Sequence, residues 1–249
     1  MKKKLTPNIN RRKFLFGSLA SIFTSLFPLD KLFPALKYVD KIALGACITQ
    51  EKEQPIWKSI LKDKSDIFIF MGDNVYGDDK ITGKLNKLSK AYTKQKTKIP
   101  FAKLKETNEI YAIWDDHDYG KNDGGGDYKN KKESQKLFLD FWKIPENDIR
   151  HRRDGLYFNE IIDIDGFKVN LIVLDTRYFR SKLTSASSPY TSSDNLNTTI
   201  LGNEQWTWFE QVLSQDSDLI LVLSSIQILA TEHVFERWDL FPHERLRMI

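Results

Sequence analysis

The chain has 249 residues, a mass of 29.1 kDa and a formal net charge of +4, with 41% hydrophobic and 29% charged residues. This composition excludes a disordered, collagen-like or polytopic membrane protein, and a single cysteine excludes an intramolecular disulfide and a zinc finger. The first thirty residues hold six of the 38 basic residues and one of the 34 acidic ones, so the remainder is nearly neutral. Nucleic-acid binding is therefore not expected.

Residues 1–30 have the charge pattern of an export signal, with a basic start and a short apolar run over 14–27. That run is too short for a bilayer core, which needs about 20 residues. The sequence Arg-Arg-Lys-Phe-Leu at 11–15 resembles the twin-arginine signal of bacteria, which predicts contact with the export machinery and a periplasmic or extracellular location. A basic amphipathic arm is one alternative. A membrane-tethered N-terminus is another, because no small-x-small cleavage site is evident.

Strands and helices alternate along residues 41–249 and predict one α/β domain, a layered mixed β-sheet flanked by helices. The predicted strands are Ile42–Ala46, Asp66–Met71, Ile110–Trp114, Leu156–Ile164, Phe167–Asp175 and the buried run Leu219–Leu223. The predicted helices are Pro55–Leu61, Lys80–Lys98, Lys129–Trp142, Asn203–Ser214 and one that begins at His243. A hairpin is expected at Asp165-Gly166, and a long mobile loop over 181–200.

Two acidic loops directly follow predicted strands, where ligands bind in open α/β sheets. The first is GDNVYGD at 72–78 and the second is WDDHDYGKND at 114–123. Carboxylates crowded around one histidine repel one another, and a hard cation is their natural partner. Asp73 is poorly explained as a turn residue because it directly follows a fully apolar strand. Gly77-Asp78 and Gly124–Gly126 are interpreted as ordinary turn chemistry.

Several further segments agree with these two loops. They are Gly45-Ala46-Cys47, the run LDTRYFR at 174–180, LG-x-x-QW-x-W at 201–208, LSS at 223–225 and Trp238-Asp239. Together the segments resemble the alkaline phosphatase D (PhoD-like) family of calcineurin-like metallophosphoesterases over roughly residues 41–249. The resemblance implies a metallophosphoesterase-like fold and an exported, metal-dependent phosphoesterase.

The resemblance also implies a two-metal centre with Fe³⁺ and Ca²⁺, or other divalent ions in their place. Asp73 would bridge the two metals, and Cys47 and Tyr76 would be thiolate and phenolate ligands of the iron. Asp116 is the candidate ligand of the second metal. Such a centre would hydrolyse phosphate esters with metal-activated water and without a covalent enzyme intermediate.

Two further residues are implied to act on the substrate. His117 would contact the phosphate or the leaving oxygen, and Asn122 would contact substrate or metal. Arg177 and Arg180 are expected to pair with acids near the strand end rather than to clamp a phosphate.

The chain departs from the family pattern in one respect. The family supplies further ligands from a segment like Gly-Asp-x-His, and no such segment follows residue 223. We therefore expect a domain that is C-terminally incomplete, with metal loading and activity in doubt. Two alternative functions to that of an enzyme are therefore kept open. The chain could be a non-catalytic relic, or a calcium-dependent surface-binding module of the same fold.

Overall fold

Six strands and seven helices are present in residues 39–78 and 84–249, the part of the chain that the computed structural model describes. The strands are β1 (Ile42–Gly45), β2 (Ile67–Met71), β3 (Glu109–Ile113), β4 (Phe158–Ile164), β5 (Phe167–Val173) and β6 (Leu219–Leu223). The helices are α1 (Ile56–Asp63), α2 (Asn86–Lys96), α3 (Ile99–Thr107), α4 (Asp116–Tyr119), α5 (Lys131–Trp142), α6 (Gly202–Leu213) and α7 (Pro242–Met248). The predicted α/β class with a mixed sheet is confirmed, although the strands divide into two three-stranded sheets.

The predicted export signal at residues 1–30 and the first part of the predicted Lys80–Lys98 helix lie outside the described residues. Within the described ranges, no helix is both long enough and apolar enough to cross a membrane.

The first sheet is entirely parallel, with β2 between β1 and β3. Residues Ile67 to Phe70 of β2 are at most 2% exposed, which is why this strand has an unbroken apolar sequence. Helix α1 connects β1 to β2, and α2 and α3 connect β2 to β3. Because the strands are parallel, the loops that leave their carboxyl ends meet along one edge of the sheet.

The second sheet is mixed, because β4 and β5 form an antiparallel hairpin and β6 then runs parallel to β5. The predicted Asp165-Gly166 turn is confirmed, with φ values of +52° and +89° at the two residues. Helix α6 makes the crossover from β5 to β6, as a parallel connection requires.

Strand β5 contributes to two hydrophobic cores because its side chains alternate between the faces of the sheet. Val169, Leu171 and Val173 pack with residues of the parallel sheet, whereas Ile172 packs with a second cluster that includes Trp206 of α6. The second sheet therefore lies between the parallel sheet on one face and α6 on the other.

The predicted strand Leu219–Leu223 is confirmed, but the prediction that it is buried is wrong. Leu219 and Ile220 are 49% and 40% exposed, and only Leu223 at the end of β6 is buried. Among the described strands β6 pairs with β5 alone, so it is an edge strand with one flank uncovered. Apolar composition indicated a strand correctly, but it did not reveal the position of that strand in the sheet.

Glu244 of α7 joins three parts of the second core through its buried carboxylate. The Trp206 indole of α6 donates to it at 2.9 Å, and the Thr199 hydroxyl and Ile200 amide donate at 2.9 and 2.8 Å. Glu244 is 6% exposed, so removing this acceptor would leave several donors buried without a partner.

We predict that Glu244→Ala lowers the free energy of unfolding by about 3 kcal/mol, because the lost hydrogen bonds involve a charged acceptor and orphan a buried indole. Urea unfolding followed by tryptophan fluorescence measures this change. Glu232→Ala, at an exposed position, is the control and should change stability by about 0.5 kcal/mol or less. Equal stability of the two variants would contradict the anchoring role of Glu244.

Candidate metal centre

The loops after β1, β2 and β3 bring four predicted site residues together. Asp73 follows β2, and Asp116 and His117 begin α4 after β3. Ligand atoms of these three side chains all lie within 4.8 Å of one another. Cys47, in the loop after β1, places its sulfur 3.7 Å from an oxygen of Asp73. These residues are far apart in the sequence, and the parallel arrangement of the strands is what brings their side chains together.

The backbone at this edge adopts left-handed conformations at several positions. Gly72 has φ +105°, and a side chain there would lie 2.5 Å from the Asp115 Cβ atom. Cys47 and Asp73 have φ values of +60° and +51°, a region that non-glycine residues seldom adopt. Such strain is typical of sites where the surrounding structure holds functional side chains in place.

Asp118, which was not among the predicted site residues, holds the two loops against each other. Its carboxylate accepts hydrogen bonds from the backbone amides of Asp73 and Asn74 at 3.2 Å and of Asp115 at 2.7 Å. The Asn74 side-chain amide donates to the same group at 2.6 Å. Asp118 is fully buried, and burial and the charge of Asp73 raise its pKa, so these donors offset only part of the cost of burying a carboxylate. Asp118 lies three residues after Asp115, which is the spacing of a capping box at the start of a helix. This spacing is the one signal in the sequence that could have identified Asp118 as a structural residue of the site.

Arg177 and Arg180 pair with acids, as predicted. The Arg177 guanidinium binds Asp115 through Nε at 2.7 Å and Glu236 through Nη1 at 2.5 Å, and Arg180 lies 3.0 Å from Glu236.

Ligand atoms of Asp116, Asp123 and Glu236 also lie within 4.8 Å of one another. We interpret this second group as part of an ion-pair network, because two arginines already supply the positive charge.

His117 is oriented by Asp78, whose carboxylate lies 2.7 Å from Nδ1, and its ring packs on Tyr76 with centroids 4.3 Å apart. The interpretation of Asp78 as a turn residue is therefore wrong, since its side chain contacts a candidate catalytic group. Burial opposes protonation of His117, but Asp78, Asp116 and Asp73 outweigh it and raise its pKa to about 9.

The chemistry of the other donors fits a multivalent cation. Burial and the charge of Asp116 raise the pKa of Asp73. Partial burial and the charge of Asp73 raise the pKa of the Cys47 thiol and of the Tyr76 phenol, and Tyr76 hydrogen-bonds with both groups. Burial opposes ionisation of Asp116, but nearby positive charges outweigh it and lower its pKa. The Asp73 carboxyl, the imidazole, the thiol and the phenol thus favour their protonated forms, and a bound cation reverses that preference.

A cavity of about 520 Å³ adjoins this cluster, and its lining includes Asp116, His117 and Asn122. The Asn122 side-chain amide donates to Asp123 at 2.6 Å, and its predicted role toward substrate or metal stays a prediction. Residues 181–200 contain no helix or strand, as expected, and Ser187 and Ser188 of that loop line the cavity.

The predicted turn chemistry of Gly124–Gly126 is confirmed, because the Gly124 amide donates to the Lys121 carbonyl at 2.7 Å, and the segment is also a close contact between backbones. The Gly126 amide donates to the Arg180 carbonyl at 2.7 Å, and a side chain at Gly125 would lie 2.6 Å from that same oxygen. The glycines therefore let the loop after α4 approach the strand end that presents Arg177 and Arg180.

The family model described as "PhoD-like phosphatase" matches residues 43–246. The chain belongs to the PhoD-like phosphatase family. A solved structure described as "Structure of PhoD" is similar to it, with a TM-score of 0.64 and 17% sequence identity. The match covers 83% of this chain and 47% of that chain, and at this identity it shows the shared fold. No curated protein sequence matches this chain.

The family assignment agrees with the resemblance carried by the two acidic loops, and it makes phosphoric ester hydrolysis the activity to be tested. The structure brings Asp73, Asp116 and His117 together, with Cys47 and Tyr76 in contact with Asp73 and Asn122 on the cavity wall. Their individual roles stay predictions.

We predict that Asp78→Asn lowers the pKa of His117 from about 9, because it removes the carboxylate that stabilises the imidazolium. NMR titration of the imidazole protons in chelator-treated protein measures the value. Asp127→Asn is the matched control, since Asp127 pairs with Lys121 instead. An unchanged His117 titration in Asp78→Asn would show that this contact does not control the ring.

Proposed function

We propose that this PhoD-like chain is a metal-dependent phosphoesterase that hydrolyses phosphate esters at the Asp73–Asp116–His117 cluster. The supporting observation is the convergence of these ligand atoms within 4.8 Å of one another beside an open cavity. The Asp73 carboxylate accepts from Cys47 and from the His117 amide, which belong to two other segments, so it suits a bridging position. The nearby thiol and phenol become anionic ligands when they lose their protons, and this negative charge suits a trivalent ion.

In this proposal Asp73 bridges two metals, Cys47 and Tyr76 bind Fe³⁺, and Asp116 binds Ca²⁺ or another divalent ion. Bound cations would activate a water molecule and neutralise negative charge on the phosphoryl oxygens. Asp116 accepts the Asp123 amide at 2.7 Å, which orients its carboxylate toward the cluster.

We propose that His117 donates a proton to the leaving oxygen. Because Asp78 binds Nδ1, Nε2 is the ring nitrogen available to hold a proton toward the leaving oxygen. Stacking on Tyr76 limits rotation of the ring, so the proton stays at one position. Asn122 would add a neutral donor to the phosphate from the cavity wall.

We further propose that residues 1–30 direct export by the twin-arginine route, to the periplasm or the cell exterior. The supporting observation is the segregation of basic and apolar residues in that segment. Contact with a membrane would then be through this segment.

Asp73→Asn should lower kcat/KM for phosphate esters by about 100-fold or more, because a neutral amide is a poor bridge between two cations. Asparagine accepts the left-handed backbone as readily as aspartate, so the fold should persist. Release of p-nitrophenol from mono- and bis-p-nitrophenyl phosphate gives the rates, and elemental analysis gives the metal content.

Asp165→Asn is the control for that experiment, since Asp165 has nearly the same φ, +52°, in a hairpin turn away from the cluster. It should keep both activity and metal. Wild-type turnover and metal content in Asp73→Asn would overturn the proposal. Metal binding without turnover in the unaltered chain would favour a calcium-dependent binding module instead.

The iron assignment predicts a visible absorption band. Phenolate and thiolate ligands of Fe³⁺ absorb visible light by charge transfer, whereas Ca²⁺, Mg²⁺ and Zn²⁺ sites are colourless. Tyr76→Phe and Cys47→Ser should each shift or weaken the band, and Tyr111→Phe, distant from the cluster in β3, should not. A colourless, iron-free protein with full activity would remove Tyr76 and Cys47 from the metal site.

A further inference from the structure

The cavity beside the metal-centre residues has a second wall whose chemistry differs from the first. The lining includes Asp116, His117 and Asn122, and it also includes residues of two other loops, among them Ser188, His233 and Phe235, which are here called the second wall. None of the predicted metal ligands lies in these loops. This second wall would therefore face the part of a substrate that is not the phosphate.

His233 and Phe235 form an aromatic pair on that wall. Their ring centroids are 5.2 Å apart, and the Phe235 amide lies 3.3 Å from His233 Nδ1. Because Nδ1 accepts this hydrogen bond, the neutral ring carries its hydrogen on Nε2. Phe235 lines the cavity and is 54% exposed, so its side chain is accessible to a ligand. A stacking surface and one donor are thus available to a ligand.

The pair is held in a defined position relative to the metal-centre residues. The Tyr190 amide donates to the Val234 carbonyl at 3.1 Å, and the Tyr190 hydroxyl donates to Asp123 at 2.6 Å. Arg237 donates to the His233 carbonyl at 2.5 Å. Asp123 in turn donates through its amide to Asp116, so a continuous set of hydrogen bonds joins the two walls.

The charges of the lining disfavour additional anionic groups on a ligand. Four carboxylates line the cavity, those of Asp115, Asp116, Asp123 and Glu236. Among the described residues, Arg177 is the one arginine or lysine in the lining, and Asp115 and Glu236 already engage it. Bound metals would balance the phosphate, and the His117 imidazolium is already paired with Asp78. Among the described residues of the lining, no unpaired cation would then balance a second anion.

We propose that His233 and Phe235 bind the alcohol part of the phosphate ester and favour an alcohol that carries an aromatic ring and no further negative charge. This inference rests on the proposed phosphoesterase function. His233 and Phe235 are specificity-determining residues in it and take no part in the bond cleavage.

The test uses three esters whose reacting bonds are nearly the same, namely ethyl phosphate, 2-phenylethyl phosphate and 2-(4-carboxyphenyl)ethyl phosphate. The ring lies two carbons from the oxygen, so it hardly alters the leaving group. We expect kcat/KM for the phenylethyl ester to exceed those for the ethyl and carboxyphenyl esters by about fivefold. Phe235→Ala and His233→Ala should reduce the preference over ethyl phosphate to below about twofold.

Phe167→Ala and His151→Ala are matched controls, because both residues are exposed and lie away from this cavity. Both variants should keep the full preference. Equal kcat/KM for the ethyl and phenylethyl esters, or a preference that survives Phe235→Ala, would overturn the inference while leaving the phosphoesterase function intact.

Binding of ethylphosphonate and 2-phenylethylphosphonate to the metal-reconstituted chain separates the two proposals. These compounds cannot be hydrolysed, and calorimetry gives their Kd values without turnover. If no ester is hydrolysed, the phosphoesterase proposal fails. Tighter binding of the phenylethyl compound that is lost in Phe235→Ala would then still support the aromatic wall, and equal Kd values would overturn it.

Discussion

Several carboxylates share one partly buried edge of the parallel sheet, and they repel one another there. The other residues of the site are arranged so that this repulsion is compensated. Two like charges about 4 Å apart repel by about 4 kcal/mol near a protein surface, so each carboxylate needs its own compensation. Asp118 receives amide donors, and Asp115 receives Arg177. Asp73 and Asp116 accept the backbone amides of His117 and Asp123, and Arg177 lies 3.9 Å from Asp116. The ligand atoms of this pair converge with those of His117.

Packing between the two sheets is part of this arrangement. Ser225, after β6, donates to Asp115 at 2.9 Å, and Trp114, at the end of β3, donates to Asp175 after β5. The carboxyl ends of parallel strands from both sheets thus meet at one place. A change in the shared hydrophobic core would displace charged groups as well as apolar ones, because a close-packed interior transmits such shifts.

The sequence predicted most of the strands and helices because their periodicity and turn residues are local properties. β2 and the Asp165-Gly166 hairpin were located almost to the residue. The burial of β6 was not predicted correctly, because exposure depends on which strand lies beside it. Apolar composition is the same for an edge strand and a central one.

The sequence alone determined that Asp73, Asp116 and His117 follow apolar strands, because a change of residue type marks the end of a strand. It predicted a loop over 114–123, whereas the structure has the short helix α4 at Asp116–Tyr119. Only the tertiary structure decided that Asp78 orients His117 and that Asp118 binds two loops. Those contacts join residues up to 45 positions apart in sequence. No pattern within one segment encodes such a pair, since it exists only after the parallel strands have aligned their carboxyl ends.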